Sequence, residues 1–113
     1  MARALITFPS TAKRNSVIEI RTLIQHPMET GYRRSSEGAM MARNLIRRFT
    51  CRFEENGKSE KSEHIFSATL YAAIAANPYL AFHTTATASG VFVFVWDGDN
   101  GFVQTERATL TVR

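Results

Sequence analysis

Histidine, cysteine and acidic side chains are the residues of this sequence that could bind a metal or act as nucleophiles. The three histidines, His26, His64 and His83, lie on separate segments, and no Cys, Asp or Glu stands beside them at a ligand spacing such as H-x-x-x-H. The stretch 97–101 has the composition of a calcium loop, but Ala108 occupies the position where such a loop needs a bidentate glutamate. The sequence therefore predicts no metal site and no cofactor.

The single cysteine, Cys51, is the strongest candidate for a nucleophile. A thiolate near cations is activated, and Arg48 and Arg52 are close in sequence, so a stand-alone thiol enzyme is one interpretation. Strand alternation predicts the opposite, because Cys51 shares its side with Phe49 and Phe53 while the two arginines point to the other side. The sequence has no serine in a G-x-S-x-G context and no phosphate-binding glycine loop. We therefore expect no catalytic residue and no enzyme activity.

Arginines are concentrated in the middle of the chain, where six fall within twenty positions: Arg33, Arg34, Arg43, Arg47, Arg48 and Arg52. The formal net charge of the whole chain is +4. Such a cluster predicts a basic patch for an acidic protein or a small anion, or alternatively for a nucleic acid. Nucleic-acid binding favours exposed aromatic side chains between the arginines, whereas the neighbouring Phe49 and Phe53 are assigned to the core. A nucleic-acid-binding β-module is therefore the alternative to a protein-binding module.

The elements that position these residues are predicted to be strands, because apolar residues recur with period two more often than with a helical period. Ile18, Ile20 and Ile24, for example, share one side of a strand. Seven strands are predicted, over residues 2–8, 16–25, 45–53, 63–71, 80–87, 91–96 and 102–112. This number in 113 residues indicates an all-β, immunoglobulin-like β-sandwich of two antiparallel sheets, forming a single domain over residues 1–113. The alanines of residues 71–78 also allow one helical turn there.

The run VFVFVW at residues 91–96 is apolar on both sides, although only one side of a strand in a two-layer sandwich meets the core. The aromatic residues of the run are larger and are assigned to the core. Val91, Val93 and Val95 then point outward, where either a loop of the same chain or another protein must cover them. We expect a partner interface that includes these three valines.

The first residues contain no signal-peptide core, because Pro9, Lys13 and Arg14 interrupt the early apolar stretch. No window approaches the ~20 consecutive apolar residues that cross a bilayer. We therefore expect neither an export signal in this chain nor a membrane as its partner.

Three segments carry a family resemblance: IEIRTLIQHPMETGYRR at residues 18–34, NLIRRFTCRF at 44–53, and AIAANPYLAF at 73–82, followed by SGVFVFVW. They resemble the SoxZ family of the bacterial thiosulfate-oxidising (Sox) system. The similarity covers nearly the whole chain, and the HPMETG and ANPY stretches are its most specific parts.

The resemblance implies an immunoglobulin-like sandwich that forms a heterodimer with SoxY. In that family SoxY, and not SoxZ, bears the flexible C-terminal Gly-Gly-Cys-Gly-Gly arm that carries thiosulfate-derived sulfur between the Sox enzymes. The last residues here, 109–113, contain neither Cys nor Gly, as expected of a non-catalytic scaffold subunit. The resemblance also implies a periplasmic location, reached by co-export with the signal-bearing partner, and transient docking to Sox enzymes, with no nucleic acid as partner. Arg33 and Arg34, which follow the HPMETG stretch, are predicted to recognise acidic surfaces or the anionic sulfur adduct.

Overall fold

The computed structural model describes residues 3–26, 28, 38, 44–58, 60, 62–70 and 77–113. These residues form eight strands, in chain order β1 (Ala4–Thr7), β2 (Thr11–Ala12), β3 (Ser16–Ile24), β4 (Ile46–Glu55), β5 (Ser62–Thr69), β6 (Tyr79–Ala86), β7 (Gly90–Gly98) and β8 (Val103–Val112). A 3₁₀ turn, Asp99–Gly101, joins β7 to β8. No α-helix occurs in the described part of the chain, and most of the predicted helical turn, residues 71–76, lies outside it.

The strands form two sheets, a small one with the order β1-β3-β6 and a large one with the order β2-β8-β7-β4-β5. All neighbouring strands run antiparallel except β2, which pairs in parallel with β8 at Thr11 and Thr111. The predicted immunoglobulin-like β-sandwich is confirmed. The sequence did not predict β2, because a strand of two residues is too short to show alternation.

Alternating side chains place the core between the two sheets. Ile18, Ile20 and Ile24 of β3 are all buried, as their shared side predicts. Thr22 lies in the same row, and its hydroxyl donates a hydrogen bond to the carbonyl oxygen of Leu80 at 3.3 Å. That bond satisfies a polar group that burial would otherwise destabilise.

Phe49 of β4 is the centre of an aromatic cluster that joins the sheets. Its ring centroid lies 5.1 to 6.3 Å from those of Phe66, Phe82, Phe94 and Trp96. Phe66 of β5 and Phe82 of β6 stack at 4.5 Å with nearly parallel planes. Because Phe82 touches aromatic rings of both β4 and β5, strand β6 lies over the boundary between those two strands.

Strands β7 and β8 form a hairpin, and its loop is tied to the start of β4. Asn100 and Gly101 adopt positive φ angles of 60° and 74°. Gly98 is extended, but a Cβ there would lie 2.1 Å from the carbonyl oxygen of Leu45, so only glycine fits. The carboxylate of Asp99 accepts hydrogen bonds from Leu45 N at 3.1 Å and from Arg47 Nε at 2.8 Å.

Candidate partner interface

The outer surface of the large sheet carries the three valines for which the sequence predicts a partner. Alternation along β7 places Val91, Val93 and Val95 on this surface, because the intervening aromatic residues are buried in the core. Val91 and Val95 are half-buried, and Val93 is only 8% exposed. The side assignment along β7 is therefore confirmed, whereas the role of the valines in partner binding stays a prediction.

Neighbouring strands explain why Val93 is so little exposed. It pairs with Arg52 of β4 on one side and with Arg107 of β8 on the other. Long basic side chains lay their methylene groups along apolar surface while the charged group stays in water. Val95 lies instead between Thr50 and Thr105, whose short side chains cover less of it. The sheet itself thus supplies cover for Val93 and leaves Val95 more accessible.

An ion pair holds one of these arginines in place. Arg107 Nη1 donates to Glu54 Oε1 at 2.9 Å, which links β8 to β4 across β7. Glu54 is only 7% exposed, and its paired cation offsets the unfavourable desolvation of the carboxylate. Strand alternation does not predict the burial of Glu54 or its ion pair. The register of β7 with β8, in which Asp97 lies opposite Val103, places Arg107 beside Val93 and so within reach of Glu54.

The predicted arginine cluster is described only in part. Three of the six arginines lie outside the described residues, namely Arg33, Arg34 and Arg43. Arg47 anchors the β7–β8 loop through Asp99, as described above. Arg52 Nε donates to Ser62 Oγ at 2.8 Å, and Arg48 is exposed in the row that also contains Asp97. Arg48 and Arg52 therefore contribute positive charge to the outer surface of the large sheet.

His26 of the HPMETG stretch and Asn77 of the ANPY stretch meet at one end of the sandwich. His26 N donates to Asn77 Oδ1 at 2.9 Å, and Asn77 N donates to the carbonyl oxygen of His26 at 2.7 Å. Met28 continues the contact, because its sulfur accepts a hydrogen bond from Ile46 N at 3.3 Å. These stretches thus have a structural role that joins residues 51 positions apart.

The ring of His26 is buried in this contact and is 5% exposed. Its Nδ1 accepts a hydrogen bond from Met28 N at 3.1 Å, so the proton of the neutral ring is on Nε2. The edge of the ring meets Phe102, with centroids 5.0 Å apart. Burial lowers the pKa of His26, and nearby Asn44 and Asp99 oppose that shift. His26 is therefore neutral at pH 7 and packs as part of the core.

Cys51 lies in the core, as its position in the strand predicts. It is 0% exposed and sits in the row of Phe66 on β5 and Phe94 on β7. Burial raises the pKa of the Cys51 thiol to about 12. The thiol is therefore protonated at neutral pH and is out of reach of a dissolved reagent.

Within the described ranges, no group of three or more His, Cys, Asp or Glu side chains could hold a metal ion. The same part of the chain contains no helix long and apolar enough to cross a membrane.

Several solved structures share this sandwich. A superoxide reductase (neelaredoxin) from Ignicoccus hospitalis superposes with a TM-score of 0.77 at 18% sequence identity, over 97% of this chain and 80% of that one. A putative superoxide reductase from Thermotoga maritima gives a TM-score of 0.69 at 13% identity, over 97% and 85% of the two chains. The sulfur carrier protein SoxY from Chlorobium limicola f. thiosulfatophilum gives 0.65 at 10% identity, over 97% and 78%. At such identities the likeness shows a common fold.

No curated protein matches this chain in sequence. The family described as sulphur oxidation protein SoxZ matches residues 6–109, which is nearly the whole chain. Because that match covers well over half of the sequence, the chain belongs to the SoxZ family.

Proposed function

We propose that this chain is a non-catalytic scaffold subunit of a periplasmic sulfur-carrier complex and that it pairs with a SoxY-type subunit. In this complex the partner holds thiosulfate-derived sulfur on a C-terminal cysteine arm. The present chain shapes the dimer and offers docking surface to the Sox enzymes that act on the arm. Membership of the SoxZ family supports the proposal, and so does the fold that the chain shares with a SoxY carrier.

The state of Cys51 is the observation that carries the proposal. Attachment of sulfur to cysteine requires a thiolate that can reach the sulfur donor. Cys51 is the only cysteine of the sequence, is 0% exposed, and has a pKa of about 12. A SoxZ-family chain with this cysteine has no thiol that can accept sulfur while the protein is folded. We therefore assign the covalent adduct to another chain.

We assign the contact with the SoxY-type subunit to the outer surface of the large sheet around Val91, Val93 and Val95. Protein interfaces commonly have an apolar centre and a polar rim. Here the valines form the apolar row, with Arg48, Arg52 and other polar side chains beside it. A stable heterodimer needs about 800 Å² from each partner, which is the scale of a sheet surface.

Recognition of acidic surfaces or of the anionic adduct is assigned to Arg33 and Arg34. Charges at the rim of an interface mainly accelerate association, and salt weakens that effect. Replacing both by alanine should therefore slow the docking of a Sox enzyme at low salt and leave folding unchanged. Stopped-flow association rates at two ionic strengths measure this, and equal rates for both proteins would reduce the two arginines to ordinary solvated charges.

Nucleic-acid binding receives less support. The exposed aromatic residue of the described chain is Tyr79, which lies on the small sheet, away from Arg48 and Arg52 on the large one. The arginines thus lack a neighbouring stacking surface within the described residues. A filter-binding series in salt separates the two functions, because phosphate contacts give a steep loss of affinity as salt rises.

Co-expression with a SoxY-type subunit tests the proposal. We expect a complex of one copy of each chain in size-exclusion chromatography with light scattering. After incubation with thiosulfate and the upstream Sox enzymes, mass spectrometry should find the sulfur adduct on the partner. Separate elution of the two chains, or an adduct on the SoxZ-family chain, would contradict the proposal.

A further inference from the structure

The edges of the two sheets differ in how well they are protected against pairing with another chain. The small sheet ends at β1 and β6, and the large sheet ends at β2 and β5. Since β2 pairs with only the end of β8, most of β8 is an open edge too. An open edge presents unpaired backbone groups, and proteins protect such edges with short strands, bulges or charges.

Three of these edges carry such protection. Strand β1 has only four residues. In β5 the register with β4 shifts at Ile65, which is a bulge, and Glu63 adds a charge. In β8 the inner side carries Glu106 and Gln104, which bond to each other at 2.6 Å.

Strand β6 has none of these devices. Its eight residues contain no Asp, Glu, Lys or Arg, and its pairing with β3 is regular from end to end. Ile24 N donates to the carbonyl oxygen of Pro78 at 3.2 Å, which fixes the alternation of bonded and non-bonded pairs along the ladder. Tyr79, Ala81, His83 and Thr85 therefore direct their backbone N–H and C=O groups away from β3. No backbone group of the described residues pairs with these groups.

The apolar surface beside β6 is also incompletely covered. Because β6 lies over the boundary between β4 and β5, the small sheet stops before it covers β5. Ile65, Phe66 and Ala68 pack against the core but are only half-buried. At the opposite side of the sandwich the corresponding inner residues are Gln104 and Glu106, half-buried polar side chains that bond to each other. The apolar residues beside β6 would be stabilised by an apolar cover, whereas the polar residues beside β8 need none.

A cavity of about 230 Å³ opens between the sheets beside the last residues of β6. Its lining includes Glu63, Ile65, Thr84 and Ala86. Glu63 is exposed and forms no hydrogen bond or ion pair in the part of the chain that the structure describes. The cavity has room for one side chain, and the carboxylate at its lining favours a basic one.

We propose that β6 accepts an extended segment of another protein as a fourth strand of the small sheet. The free backbone groups require an extended backbone, as in other cases of strand addition. Every second residue of β6, four in all, directs its backbone groups away from β3. A strand that pairs with all four needs about seven or eight residues. Alternate side chains of that segment are apolar and cover Ile65 and Phe66, and a lysine or arginine near one end meets Glu63. The other side of the segment faces solvent and is polar.

A lone segment fits this edge better than a second copy of the chain does. Pairing two copies through β6 would also bring their β5 strands together. Each β5 carries the bulge at Ile65 and the charge of Glu63, so the two large sheets could not continue across the junction.

The experiment uses the ¹⁵N-labelled full chain and an acetylated, amidated eight-residue peptide in which valine alternates with threonine and the last residue is lysine. We expect amide exchange at Ala81 and His83 to slow at least tenfold when the peptide is added. The amides of Phe82 and Thr84, which bond to β3, should change little. Unchanged exchange at Ala81 and His83 would overturn the proposal.

Two substitutions give matched comparisons. Ala81→Pro removes one outward N–H of β6, and Thr105→Pro removes one outward N–H of β8, positions at which an edge strand tolerates proline. We expect at least tenfold weaker peptide binding for the first and no change for the second. In a separate comparison that leaves the backbone intact, Glu63→Gln should abolish the preference for the lysine-terminated peptide over one ending in glutamate.

Equal binding by the two proline variants would overturn the proposal, and so would an equal preference in the Glu63→Gln protein. Light scattering of the free chain measures its mass, and we expect the mass of a monomer. A dimer with protected Ala81 and His83 amides in the absence of peptide would make a second copy the occupant and also overturn the proposal.

Discussion

Replacing Cys51 by alanine separates a packing role from a sulfur-carrying role. The thiol is fully buried in the row of Phe66 and Phe94, so removing Sγ deletes one heavy atom from the core. The lost burial and the small cavity together cost about 1 kcal/mol. With an unfolding entropy of about 2.1 cal/mol/K per residue over 113 residues, the melting temperature should fall by about 4 °C. Thiosulfate oxidation in a reconstituted Sox system should continue at a near-normal rate.

The reactivity of the native thiol provides a second measurement. A pKa of about 12 leaves a thiolate fraction at pH 7 that is on the order of a thousandfold below that of an ordinary cysteine. Ellman's reagent should therefore modify Cys51 slowly in the native protein and rapidly in urea. The reasoning would be refuted by fast modification of the native protein. It would also be refuted by a persulfide or thiosulfonate on Cys51 in the working complex.

Three further predictions concern the partner surface, the buried histidine and the ion pair. Val93→Lys adds a cation between two arginines and should weaken binding to the SoxY-type subunit at least tenfold in titration calorimetry. The control variant, Val17→Lys on the small sheet, should bind as tightly as the native chain. Equal affinities of the two variants would remove Val93 from the interface. Because burial lowers the pKa of His26, the unfolded chain binds the proton more readily than the folded chain does. Stability should therefore fall as the pH is lowered from 7 to 5. If the urea midpoint of a His26→Phe variant declined with pH as much as that of the native chain, another group would be responsible for the decline. Arg107→Ala should destabilise the fold by about 1 to 3 kcal/mol, because it leaves a buried carboxylate without its partner. Glu54→Gln removes that charge and should cause a smaller loss of stability. If urea unfolding gave the reverse order, this explanation would be excluded.

The strands that the sequence predicted best are those with a clear difference between their two sides. In β3 every second residue from Ile18 to Ile24 is buried, and in β7 the aromatic residues fill the core while the valines face outward. Local alternation carries this information, because the side chains of a strand point alternately to opposite faces. The same rule placed Cys51 in the core, and that placement is the basis of its assignment as a structural residue.

Features that depend on distant pairing could not be predicted in the same way. The parallel contact of β2 with β8, the bulge at Ile65 and the burial of Glu54 all arise from the partner strand. The open edge of β6 is likewise a property of the strand order, since the eight residues resemble any half-buried strand. Family resemblance implied a kind of complex but gave no register, and the register determines which side chains stand together.

The order of the strands also has a consequence for how the chain folds in a cell. Strand β3 lies in the middle of the small sheet, yet its partner β6 begins 63 positions after it, because Ser16 starts β3 and Tyr79 starts β6. At synthesis rates of about 5 to 20 residues per second, β3 waits roughly 3 to 13 s before that partner leaves the ribosome. During this interval the backbone groups that β3 directs toward β6 have no strand to pair with, and its isoleucines belong to an incomplete sheet. Folding is therefore slow compared with that of helical proteins of this size, and the nascent chain should depend on chaperones that bind exposed apolar strands.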